Sequence, residues 1–167
     1  MRSRIAIPAL VLAACGLAAA DEKKGESKKY ESKEGQYAVA FPGKPEVSKK
    51  AGADMAMVKT EAGAFIVVHS DLPADAVKAA QPKDLLANAE KAFVDSFKAK
   101  VTASKEVEFG KKKYPARETT AEKDAIQLRI TLVLAGDRLY QVFVVGPKEL
   151  VGGKDADEFF KSFEVTK

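Results

Sequence analysis

The 167-residue sequence has one cysteine, one histidine and no tryptophan. A lone cysteine, Cys15, excludes an intrachain disulfide in any compartment. A structural zinc site wants about four Cys or His ligands, whereas Cys15 and His69 are all that the chain supplies. Neither a metal centre nor another cofactor is therefore expected. Charge of one sign is also scarce: 28 Lys+Arg stand against 24 Asp+Glu, a net +4. Arg2 and Arg4 lie in a segment expected to be removed, which leaves +2. Nucleic-acid binders carry a strong basic surplus on one face, so that class is excluded. No apolar run approaches the ~20 residues of a membrane-spanning helix. What remains is 46% hydrophobic and 31% charged residues, an ordinary balance for one folded domain with a real core.

The N-terminus reads as an export signal. MRSR is a positive lead, and Ile5–Leu17 is an apolar stretch too short to span a bilayer. Two cleavage sites overlap. Leu12-Ala13-Ala14-Cys15 resembles the lipobox of bacterial lipoproteins, in which the cysteine is lipidated and becomes the new N-terminus. Ala18-Ala19-Ala20 before Asp21 suits an ordinary signal peptidase. Residues 1–20 are then a signal peptide, or residues 1–14 if Cys15 is lipidated. Residues 21–34, DEKKGESKKYESKE, interleave five acidic residues with five lysines and read as a flexible tether. Residues 35–167 form a single domain.

Within that domain the hydrophobic pattern alternates between two periods. Tyr37, Val39 and Phe41 alternate in a strand stopped by Pro42-Gly43. Met55 and Met57 mark a second strand, and Thr60–Gly63 turns it into Ala64–His69, apolar on both faces. Leu85, Leu86, Ala89, Ala92, Phe93 and Phe97 share one helical face, with Pro82 and Asp84 suited to its first turn. Strands follow at Val101–Phe109, near Tyr114–Glu122, at Ile126–Leu134 and at Leu139–Val145. A short final helix carries Ala156, Phe159, Phe160 and Phe163 on one face. Asp155 would cap it, with Glu158 in capping-box position. Strands joined by tight turns imply a mostly antiparallel sheet, and two amphipathic helices must cover it. The expected class is α+β, an α/β/α sandwich.

Reactive constellations are sparse. His69 stands where a strand meets the loop Ser70–Pro73, and adjacent strand residues point to opposite faces, so HSD in sequence is no triad in space. Strand-end packing or exposure is the simpler reading of His69. Gly146–Lys154 fails the phosphate-loop pattern, because Lys148 stands where the first glycine belongs and Asp155 replaces the hydroxyl residue; it reads as a flexible loop. Lys111, Lys112 and Lys113 at a hairpin tip form the one basic cluster, with anionic headgroups as its natural target near an anchored domain. The surface-contact candidates are therefore His69, Asp71, Asp75 and Lys111–Lys113.

Three segments, YAVAFPGKP, IQLRITLVLAGDRLYQVFVVG and ADEFFKSFEV, resemble the PsbP-like fold superfamily, over residues 35 to 167. That group includes photosystem accessory proteins, a small eukaryotic Ran-binding protein and bacterial envelope proteins. The resemblance implies the fold and an accessory, non-enzymatic role; no family ligand residue maps onto this chain.

The expected function is thus an exported, non-catalytic accessory or binding domain of the periplasm or cell envelope. Its partner would be an envelope protein or a membrane-surface component, and a lipid on Cys15 its only attachment to membrane. A hydrolase or cation-dependent enzyme using His69 with Asp71 or Asp75 is the alternative. Carriage of a small ligand between sheet and helix is a third.

Overall fold

The computed structural model describes residues 27–50 and 52–167. The signal segment, Cys15 and the site after Ala20 lie outside them. Among the described residues, ten strands and four helices follow one another as β1 Lys28–Ser32, β2 Tyr37–Phe41, β3 Glu46–Lys50, β4 Ala53–Lys59, β5 Ala64–Asp71, α1 Ala74–Ala79, α2 Pro82–Phe97, β6 Lys100–Phe109, β7 Tyr114–Lys123, β8 Ile126–Ala135, β9 Arg138–Gly146, α3 Lys148–Val151, α4 Lys154–Ser162 and β10 Glu164–Val165.

Seven strands form one sheet in the order β3-β4-β5-β9-β8-β7-β6, and β1-β2-β10 form a second. Every paired ladder is antiparallel. The expected α+β sandwich is the observed one, with a refinement: one covering layer is α2, the other is α4 together with the small sheet. Alternation along the strands sorts side chains between these layers. Ile66, Val68, Leu128, Ile130, Leu132 and Phe143 meet Leu85, Leu86, Ala89 and Phe93 of α2. Phe65, Val67, Val133, Tyr140, Val142 and Val144 meet Tyr37, Val39 and Phe41 of β2 and Phe159 and Phe163 from the α4 end. Phe159 anchors that second core, with ring centroids 5.2 Å from Phe41 and 5.4 Å from Phe65.

Three features depart from the sequence reading, and a fourth was not read from it. The tether expected over 21–34 is ordered from Lys28, because Tyr30 turns inward onto Tyr37 and Phe41. Asp155 does not cap α4; Gly153 holds the cap position, and Asp155 lies in the first turn, where the helix dipole favours an acid. The loop Gly146–Lys154 contains α3, pinned by buried Val151. Glu90 of α2 turns toward the sheet and pairs with Arg117 at 3.2 Å.

Turn chemistry fixes the hairpins. Gly136 adopts φ +70° between β8 and β9, a conformation that costs glycine nothing. Gly63 and Gly146 lie back to back, so that a Cβ on Gly63 would collide with the Val145 carbonyl oxygen.

Candidate functional site

Two places gather chemistry-bearing side chains. The first is centred on His69, in the body of β5. Strand register sets Asp54 of β4 on one side of it and Tyr140 of β9 on the other. His69 Nε2 lies 3.4 Å from Asp54 Oδ2, and the ring packs on Tyr37 and Tyr140 at 5.8 and 6.3 Å. The residue is 5% exposed, so its expected role as a surface contact is corrected: it is a core histidine. Burial pushes its pKa below the ordinary value, against the pull of Asp54. Nδ1 makes no hydrogen bond among the described residues.

A polar rim surrounds this histidine. Lys49 bridges Asp54, at 3.3 Å, and Glu34, at 2.8 Å. The Lys49 ammonium holds the Glu34 carboxyl below its usual range. Arg138 donates two hydrogen bonds to Asp71, at 2.6 and 2.9 Å, and a third to the Glu34 carbonyl at 2.7 Å. The guanidinium lowers the Asp71 pKa accordingly. Tyr140 donates its hydroxyl to the Gly35 carbonyl at 2.8 Å. A pocket of about 230 Å³ lies between this rim and β1.

The pairing of His69 with Asp71 or Asp75 does not form. Asp71 is engaged by Arg138, Asp75 sits exposed in the first turn of α1, and the carboxylate facing the imidazole is Asp54. No cluster of three metal-ligating side chains occurs among the described residues.

The second place is a groove of about 680 Å³ between the β6–β7 tip, the α4-side face of β8 and the end of α4. Lys111 and Lys112 stand on one lip and Lys161 on the other. Lys113 bends away to Glu108 at 3.5 Å, so the expected triple cluster contributes two members to the groove. Lys112 donates to the Lys167 carbonyl at 2.6 Å. The wall is a fixed plate: Arg129 lies 4.4 Å over the Phe160 ring and donates to Asp157 Oδ1 at 2.6 Å. Such stacking over an aromatic face orients the guanidinium while leaving its other edge free to bind. Thr131, 7% exposed, lies at the base.

Sequence reading located Lys111 and Lys112 but missed Lys161, and missed Arg129, Asp157 and Phe160 as a unit. Arg129 falls on the polar face of its strand, and its partners lie 28 and 31 positions further on, so only the tertiary fold brings them together. Asp157 and Phe160 at i, i+3 on α4 are the one local trace of it.

No family model matches the chain, and no curated protein matches it. Solved structures do. The solution structure of cyanobacterial PsbP (CyanoP) from Synechocystis sp. PCC 6803 superposes with a TM-score of 0.62 at 12% identity, covering 92% of this chain and 98% of that one. A crystal structure from Bacteroides thetaiotaomicron VPI-5482 gives a TM-score of 0.44 at 14% identity, covering 87% of this chain and 50% of that one. Strand order, two-layer covering and the cyanobacterial likeness agree: the chain has a PsbP-like α+β fold.

Proposed function

We propose that this chain is an exported, non-catalytic accessory or binding domain of the periplasm or cell envelope, free or held to the membrane by a lipid on Cys15. The observation that carries the binding role is the groove between α4 and the β6–β7 tip. It is open to solvent, partly aromatic, and holds its Arg129–Phe160 plate in place before any partner arrives, the preorganisation that makes a surface suited to recognition. The PsbP-like fold supports an accessory role by analogy, since a fold hosts many functions and the site must carry the argument. The interior setting of His69 supports a structural duty for it.

Proximity labelling and crosslinking in envelope fractions test the reading. Recovery of a defined partner, lost when Lys111 and Lys161 are both reversed to Glu, is the expected result. A folded wild type that recovers nothing above background overturns it. Intact-mass measurement separates the modes of attachment: a diacylglyceryl-cysteine N-terminus at Cys15 and an unmodified N-terminus at Asp21 differ in mass.

A further inference from the structure

The groove's lining specifies more than a location. Four cationic side chains face two anionic ones across it. The carboxylates are already engaged, Glu118 with Lys105 at 2.8 Å and Glu164 with Lys29 at 3.2 Å. Lys111 and Lys161 take part in no ion pair among the described residues, and they flank the groove from opposite lips. Between them lies the Arg129–Phe160 plate, with Asp157 fixing the guanidinium from behind. Unspent positive charge thus stands beside an aromatic wall.

We propose that this groove docks an extended acidic peptide segment of a partner protein. One aromatic or aliphatic side chain of the segment stacks on the Arg129–Phe160 plate, and carboxylates on either side reach Lys111 and Lys161. This rests on the binding-domain reading and adds the chemistry of the partner. A peptide fits better than a bilayer for two reasons. Thr131 at the base is 7% exposed, recessed where a flat headgroup layer does not reach. The rim also alternates in charge, with Glu118 and Glu164 each held by a lysine, which suits a chain whose charges are spaced better than a continuous anionic sheet.

Fluorescence anisotropy on the full chain tests this with three labelled ten-residue peptides. One alternates Glu with Phe, one replaces each Phe by Ser, and one replaces each Glu by Lys. The first is expected to bind, with both controls about tenfold weaker or more, and added salt should loosen it. Lys111→Glu with Lys161→Glu, both exposed and outside the core, should weaken the first peptide about tenfold. Phe160→Ala should remove the preference for Phe over Ser. No binding of the first peptide overturns the proposal, as does equal binding of all three. So does binding to phosphatidylglycerol vesicles that is lost in the double charge reversal while the peptide stays unbound. A Lys111→p-benzoylphenylalanine variant crosslinked in envelope fractions distinguishes the two levels. A defined protein crosslink with failed peptide binding removes the acidic-peptide chemistry and leaves the binding-domain reading intact; absence of both removes both.

Discussion

His69 and Glu90 show what single side chains contribute. The imidazole has a folded pKa below its unfolded value because burial disfavours the charged ring. The unfolded chain therefore binds the extra proton more readily, and stability must rise with pH across that window. The contribution is present above about pH 6.5 and is lost as pH falls through the folded value. Carboxylates titrate lower, so urea unfolding at about pH 7.5 and pH 5.5 isolates the histidine. Wild type should lose stability between the two, and His69→Phe should lose less; parallel losses would mean that the imidazole is not the source. Glu90 belongs to a polar knot beneath α2. It meets Arg117 at 3.2 Å and accepts from Thr119, which is 2% exposed, while Arg117 also reaches Glu106 at 2.9 Å. Arg117 Nε already lacks a partner among the described residues. Glu90→Ala strips the inner carboxylate from a guanidinium that is largely buried, at a cost of about 3 kcal/mol, measurable by chemical denaturation. The neighbouring exposed pair Lys91–Asp95 should cost less than about 0.5 kcal/mol when broken.

Among elements, β6 is the one that most needs managing. It is a ten-residue edge strand, exposed along nearly its whole length, with Val101 41% exposed. Such an edge invites pairing with a second copy. Two devices oppose it. A bulge between Val101 and Ala103 shifts which face each side chain takes, so the strand is not continuous with itself across that point. In the regular stretch beyond, the most extensive two-fold pairings centre on Lys105 or Glu106 and set like charges opposite each other. Replacing both by Val should therefore produce concentration-dependent association in sedimentation experiments; a monomer at all concentrations would show that the bulge alone suffices. Elements also mark where sequence reading succeeded and failed. β8, β9, α2 and α4 are legible because each carries a strong apolar period that the core rewards. β1 carries one inward side chain, Tyr30, among lysines and a glutamate, and the one apolar residue of β3, Val47, is 62% exposed, so the order of both strands comes from neighbours. α3 is seated because Gly63 and Gly146 approach closely and leave room for Leu150 against both, while Val151 sinks into the core under α4, a contact between positions far apart in the chain. The groove was half legible for the same reason: Lys111 and Lys112 are neighbours in sequence, whereas Lys161 and the plate reach the groove only through the tertiary fold.

For the whole molecule, the boundary at which folding begins is the first consequence. A chain starting at residue 35, where the charged run ends, lacks β1 and uncovers the Tyr37 and Phe41 edges on which Tyr30 sits. It should be less stable than one starting at residue 27 by about 2 kcal/mol, seen as a Tm lower by several degrees in calorimetry; equal Tm values would assign β1 no share in stability. The two cores differ in how the chain builds them. The one under α2 draws on residues from β4 to β9 alone. The one under α4 joins β2, near the beginning of the described chain, to Phe159 and Phe163, near its end. During synthesis, Tyr37, Val39 and Phe41 thus emerge long before their covering helix. For that interval β1 alone covers them, which makes this strand a target for a holding chaperone and the segment most prone to clump when α4 is delayed or lost.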